Sequence, residues 1–409
     1  MRSQQEAVTI LSGARIKPMS ERSIYTLAVH AGEDRSAHFG AVSVPVYNAS
    51  VYAFTDAEEG AAIHNEFKHG YYYGRLGNPT TEALEASVAE LENAEACLAF
   101  ASGMAAASAA ILSNVRAGDH IVAPESMYST LINLFRHLAD DLRIETTFID
   151  ASDPENYRDA ARPNTKIFWL ESPSNPLLTI TDLGKVSKIA KEAGILTVAD
   201  NTFATPFNQR PIDLGVDVVV HSGTKYLGGH SDVTAGLLVT SAERAKHIRS
   251  VATKLFGGTI APQVAWLTLR GIKTLALRME RHNSNASALA DMLCGHPKIA
   301  AMYYPGRKEH RNHDVAARQM SGFGGMVSFD LGSSDAGKAF VNNVRLCALA
   351  TSLGGVETIV QHAASMTHAS IPAEERQRAG ISDGLIRLSV GVEHIDDLKA
   401  DILKALEQA

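Results

Sequence analysis

Between residues 96 and 240 the chain repeats one pattern. A short run of Val, Ile, Leu or Ala ends in polar residues, and helical spacing follows. The runs are ACLAFA from Ala96, HIVAPE (120–125), KIFWLES (166–172), ILTVADN (195–201), DVVVHS (217–222) and AGLLVT (235–240). LGKVSKIAKEAG, from Leu183, has helical spacing and closes on Gly194 at a C-cap position. Continuous apolar strands joined by crossover helices imply an α/β chain with a mainly parallel sheet covered on both faces. In such sheets ligands gather beyond the carboxyl ends of the strands. The polar residues there are Glu171, Asn175, Asp200, His221, Ser222 and Lys225.

The rest of the chain sets the domain organisation. Up to about Gly70, short segments are separated by Gly32, Gly40 and Pro45, which predicts an N-terminal arm over 1–70. Leu84, Val88 and Leu91 share one face of a helix expected over Thr80–Glu92. RGIKTLALRMERHNSNASALADML, starting at Arg270, reads as one long amphipathic helix leading into a smaller α+β region. A boundary near 270 divides a ligand-binding domain over 71–270 from a C-terminal domain over 271–409.

Several classes fall away. The net charge is −7, from 38 basic and 45 acidic residues, with no Lys/Arg run, so a nucleic-acid footprint is not expected. The three scattered cysteines, Cys97, Cys294 and Cys347, argue against a disulfide framework and suit a reducing compartment, hence the cytoplasm. Nothing charged lies between Glu95 and Arg116, a span long enough to cross a bilayer. It is mostly Ala, Ser and Gly, and reads as a buried strand, a turn and a buried helix. Ser222-Gly-Thr-Lys225 matches S-x-x-K, but the S-D-N and K-T-G partners of penicillin-recognising enzymes are missing. His310 and His313 share a helix face on spacing, without an evident third ligand, and no metal site is expected.

Asp200 and Lys225 together fit one demanding task. A carboxylate at one buried strand end and an amine just after the next suit pyridoxal 5′-phosphate, which needs a Schiff-base amine and a partner for its pyridinium nitrogen. The lysine must be desolvated, or sit near another cation, to lose its proton near neutral pH. Ser102-Gly103-Met104, between a strand and a predicted helix, places backbone N–H groups where a phosphate binds.

Combined motifs give the chain a family likeness. Tyr73-Gly-Arg75-Leu-Gly-Asn-Pro-Thr80, Ser102-Gly-Met, Glu171-Ser-Pro-Ser-Asn175-Pro, Asp200-Asn-Thr, His221-Ser-Gly-Thr-Lys225-Tyr and Arg387-Leu-Ser-Val-Gly are all present. From about Thr26 onward the sequence resembles the Cys/Met-metabolism family of pyridoxal-phosphate enzymes, of aminotransferase-like fold type I. The resemblance implies that Lys225 carries the cofactor and shuttles protons, and that Asp200 pairs with the pyridinium. Gly103, Met104, Ser222 and Thr224 would bind the phosphate. Tyr73 and Arg75 would reach the phosphate of a neighbouring subunit, in a homotetramer built from two active dimers. Tyr128 would stack on the cofactor ring and protonate the leaving group. Arg387 would take the substrate α-carboxylate, with Asn175 and Ser352 beside it.

The C-terminal runs His362-Ala-Ala-Ser-Met-Thr-His and Gly380-Ile-Ser-Asp-Gly look most like the methionine γ-lyases of that family. Those enzymes commonly have Cys where this chain has Thr130, and Lys-Asp where it has Lys254-Leu255. Members that process cystathionine often carry acidic residues at the positions of Tyr72 and Thr351, so a distal ammonium lacks its partner here. The expected reaction is α,γ-elimination from a γ-substituted L-amino acid, including oxygen-linked substrates such as canavanine. The alternative is γ-replacement on an O-acylhomoserine. An aminotransferase of the same fold matches the motifs less well. A binding module that has lost its chemistry is disfavoured by the presence of Lys225, Asp200 and Arg387.

Overall fold

The computed structural model describes residues 22–65 and 69–409. The predicted runs form strands: β1 (Ala96–Phe100), β2 (His120–Pro124), β3 (Glu145–Ile149), β4 (Thr165–Glu171), β5 (Leu196–Asp200), β6 (Val218–Ser222) and β7 (Gly236–Thr240). They make one sheet in the order β1-β7-β6-β5-β4-β2-β3. Only β7 runs against its neighbours, pairing antiparallel with both β1 and β6. Both faces are covered. Val218 and Val220 join one apolar cluster and Val219 the other, each fully or almost fully buried. That alternation inside an unbroken valine run is what a doubly covered sheet requires.

The helices start where local chemistry permits. Asn78 accepts a hydrogen bond from Thr80 N at 2.9 Å, and Pro79 occupies the first turn of helix Pro79–Leu91. Asp182 caps helix Leu183–Ala193 through Lys185 N at 3.0 Å, and Gly194 closes it at φ 67°. The uncharged span folds as β1, a turn and helix Gly103–Leu112, which Ser102 caps through Ala105 N at 3.1 Å. Among the described residues no helix is long and apolar enough to cross a membrane.

The second unit is a smaller sheet in the order β10-β11-β12-β9-β8: β8 (Ala301–Tyr303), β9 (Met326–Asp330), β10 (Ala348–Leu349), β11 (Ile359–His362) and β12 (Leu385–Ser389). Its core includes Phe329, Phe340, Leu289 and Ile402, with helices Leu275–Leu293 and Ile395–Glu407 packed against it. The long helix expected from Arg270 is two helices, Pro262–Ile272 and Leu275–Leu293, broken at Lys273 and Thr274. The break has a packing cause. A Cβ at Gly271 would lie 2.1 Å from Gly228 O, so the first helix is seated directly on another backbone. Buried Arg278 then takes Gly271 O at 2.7 Å and Tyr226 O at 2.7 Å. His310 and His313 do not share a helix face. The helix begins at His313, whose Nδ1 bonds Pro305 O at 2.8 Å, and His310 precedes it.

Candidate active site

A cavity of about 430 Å³ opens at the carboxyl ends of β4, β5 and β6. Gly103, Met104, Tyr128, Asn175, Asp200 and Ser222 line it, together with Thr224, Lys225, Ser352 and Arg387. Sheet order explains the convergence. Asp200 ends β5, Ser222 ends β6, and Ser102 follows β1. Antiparallel β7 lies between β1 and β6, and it passes closely only because residue 236 is glycine. A Cβ there would fall 1.9 Å from Ser102 O. Gly103 is constrained less tightly, since a Cβ would meet the Ser222 Cβ at 2.8 Å.

Lys225 Nζ donates to Ser352 Oγ at 2.6 Å. Burial, then the positive charge of Arg387, pulls the amine down to about 8. Asp200 is held by Thr202 N at 2.9 Å, and burial pushes its carboxyl above the ordinary value. Thr202 Oγ1 also accepts from Ser222 N at 2.8 Å, locking the two strand ends together.

Arg387 sits mid-strand in β12 and is only 3% exposed. Its Nη1 donates to Asn175 Oδ1 at 2.7 Å and its Nη2 to Ser352 O at 2.9 Å. Gln361, with its amide oxygen turned to the guanidinium, accepts from Nε at 3.0 Å. Among the described residues Arg387 has no carboxylate partner, and burial lowers it to about 10. A buried cation held flat by neutral acceptors is poised for an incoming anion. Ser352 takes φ 85°, a strained value for a residue with a Cβ, and contacts both cations.

These residues suit pyridoxal phosphate. The amine, the half-buried carboxylate of Asp200 and the backbone N–H groups opening the ten-residue helix at Gly103 supply its three needs. Ser222 Oγ faces the same cradle, 3.0 Å from where a Gly103 Cβ would lie. The Thr224 hydroxyl already donates to Ala235 O at 3.3 Å and accepts from Ala235 N at 3.0 Å.

The profile of the family described as "Cys/Met metabolism PLP-dependent enzyme" matches residues 25–407. The chain belongs to this family. An L-methionine γ-lyase from Fusobacterium nucleatum subsp. nucleatum is 46% identical over 393 residues, covering 95% of this chain and 99% of that protein. A cystathionine γ-lyase from Bacillus subtilis is 47% identical over 382 residues, covering 93% and 98%. A crystal structure of cystathionine γ-synthase from Xanthomonas oryzae pv. oryzae, in complex with cystathionine, superposes at TM-score 0.90. It is 42% identical and covers 95% of this chain and 98% of that one. This family member is therefore a pyridoxal-phosphate-dependent lyase or synthase of Cys/Met metabolism.

Two expected site residues lie elsewhere. Tyr73 is 42% exposed, Arg75 is exposed, and neither lines this cavity. Arg75 Nη1 donates to Lys254 O, and its guanidinium lies 5.7 Å from the Tyr73 ring centre. Of the specificity positions, Thr130 and Thr351 line the cavity. Tyr72 stacks on Phe54 at 5.2 Å, and Leu255 is exposed. Sequence reasoning assigned no role to Phe203, whose ring centre is 6.0 Å from the Arg387 guanidinium. It lies three residues beyond Asp200, and that adjacency was the available signal.

Proposed function

We propose that this family member catalyses α,γ-elimination from a γ-substituted L-amino acid. The observation that carries the reading is the meeting of Lys225, Arg387 and Tyr128 in one cavity. When bound, pyridoxal phosphate supplies a Schiff-base carbon and an electron sink. Arg387, held in plane by Asn175, Ser352 and Gln361, takes the substrate carboxylate as a bidentate fork. The Lys225 amine is neutral enough near pH 8 to accept a proton from Cα. Its flexible stem then lets it serve Cβ. Ser352 Oγ, at 2.6 Å, holds the amine in the cavity. The Tyr128 hydroxyl, at the start of helix Ser129–Leu142, gives its proton to the leaving γ-substituent. Asp200 would balance the cofactor ring nitrogen, and Ser222, Thr224 and the Gly103–Met104 backbone would hold its phosphate.

Thr130 sets the substrate class within this reading. A hydroxyl on the cavity wall offers a donor and an acceptor to a polar γ-group, which a thiol does only weakly. An oxygen-linked γ-substituent, as in canavanine, fits such a wall. The likeness to a cystathionine γ-synthase supports a second reading, γ-replacement on an O-acylhomoserine. Tyr73 and Arg75, outside their own cavity, would complete the phosphate site of a neighbouring subunit in a homotetramer. The protein would work in the cytoplasm.

Product analysis by mass spectrometry tests this. Methionine, O-acetylhomoserine, O-succinylhomoserine, cystathionine and canavanine are incubated separately without thiol. Loss of the γ-substituent from one of them is expected. Turnover that begins only when a thiol is added would replace elimination with γ-replacement. Efficient turnover of cystathionine would show that Tyr72 and Thr351 do not exclude a distal ammonium.

A further inference from the structure

Glu171 has no part in the proposed mechanism, yet it bonds the backbone of two residues that do, Asn175 and Tyr128. It ends β4, is 4% exposed, and lies in register with Asp200 on β5. Its Oε1 accepts from Asn175 N at 2.7 Å, and its Oε2 accepts from Tyr128 N at 3.1 Å. Asn175 then holds Arg387 through Oδ1 at 2.7 Å. One carboxylate thus fixes the backbone of the residue that orients the guanidinium and the backbone of the residue that offers the phenol. Glu171 also lines a second cavity of about 410 Å³, bounded by Glu125, Asp150, Tyr303 and Arg378, so it forms a wall between the two.

A structural role alone does not explain this choice of residue. Burying a carboxylate beside another carboxylate is costly, and an apolar side chain would fill the same space. Burial and Asp200 push the Glu171 carboxyl up to about 8, while the N–H groups of Asn175 and Tyr128 favour its ionised form, and only that form offers two acceptor oxygens at one position and no donor. We propose that Glu171 is a positioning residue that sets the substrate-carboxylate clamp and the Tyr128 phenol from a single point. A glutamine there keeps one acceptor and turns an N–H₂ towards the other backbone N–H. The shorter contact, to Asn175, keeps the oxygen, so Tyr128 loses its anchor. An alanine releases both.

The inference rests on Arg387 taking the substrate carboxylate, so its test includes that residue. The probe is L-alanine, which has the carboxylate and amine of any substrate but no γ-substituent. Its binding to the cofactor-loaded enzyme is read from the change in cofactor absorbance. Arg387→Ala and Glu171→Ala should each weaken alanine binding, the latter by about tenfold or more. Glu171→Gln, which keeps the volume and serves if the alanine variant does not fold, should leave alanine affinity within about threefold. It should still lower kcat by about tenfold on whichever substrate is turned over. Glu171→Asp, with both oxygens but a shorter stem, should recover part of each loss. A loss in Arg387→Ala, with alanine affinity and kcat unchanged in both Glu171→Ala and Glu171→Gln, overturns the role of Glu171 alone. Wild-type kcat in Glu171→Gln also overturns it, because filling the volume with one acceptor would then serve as well as two. Unchanged affinity in Arg387→Ala overturns the carboxylate assignment and this inference with it.

Discussion

At the scale of single residues, the site depends on a buried guanidinium and a half-buried amine that share no carboxylate among the described residues. Arg387 lowers Lys225 through space, after burial itself, and the amine ends near 8. A lysine at the usual value near 10.4 is almost wholly protonated at pH 8, whereas Lys225 is about half neutral there. Capture of pyridoxal phosphate by the cofactor-free protein should therefore speed up as pH rises and level off just above about 8. Stopped-flow absorbance across pH 6–10 reads that inflection. Removing the guanidinium in Arg387→Ala takes away a charge that disfavours ammonium, so the inflection should move upward. An unmoved inflection would leave burial as the sole cause. The same variant should raise KM by about 10²-fold, from the loss of a buried charge-assisted fork. Lys225→Ala should lower turnover by at least about 10³-fold. Lys225 and Asp200 were legible in the sequence because the cofactor's chemistry dictates an amine and a carboxylate, whereas Arg387 was legible only through the family likeness of its Arg-Leu-Ser-Val-Gly motif. Glu171 was legible only as a polar strand end. Its partners are backbone N–H groups, and a backbone donor leaves no trace in residue types.

At the scale of elements, the phosphate cradle depends on close approach between β7 and the turn after β1. Gly236→Ala forces a Cβ to 1.9 Å from Ser102 O and 2.9 Å from Gly103 N. Both neighbours are backbone, which cannot swing aside as a side chain can. The variant should lose about 3 kcal/mol of stability, at the upper end of overpacking costs. Its cofactor affinity should fall as well, because the displaced turn carries the donors. Gly194→Ala is the contrast. That glycine has φ 67° and nothing within 4 Å of a new Cβ. It should cost only about 1–2 kcal/mol of backbone strain and leave cofactor affinity unchanged. Urea unfolding and absorbance titration of the two variants separate the effects. Equal cofactor affinity in both would detach the cradle from this contact. The strands were readable because a doubly covered sheet imposes unbroken apolar runs. The break at Lys273 and Thr274 was not, because it answers to the backbone of Gly228 and Tyr226, more than forty residues away, which seats Gly271 and takes the Arg278 guanidinium.

At the scale of the whole molecule, one chain gathers nearly the complete set of expected site residues and leaves two outside. Tyr73 and Arg75 belong to the segment bridged to Val51, and their side chains are exposed. An exposed arginine and tyrosine that lie outside the cavity of Lys225 in their own chain are suited to a site across a two-fold axis, where each subunit completes the other. Mixing experiments decide between the two arrangements. Lys225→Ala and Arg75→Ala are each expected to be nearly inactive as pure proteins. In a dimer of the two, one site combines both defects and the other combines two intact halves. Random reassortment makes half of the dimers hybrid, each with one working site in two, so the mixture should recover about a quarter of full activity. If Arg75 acts on its own chain, every site carries one defect and no activity returns. The measurement needs only denaturation and refolding of mixed chains in the presence of cofactor, with wild-type protein treated identically as the reference.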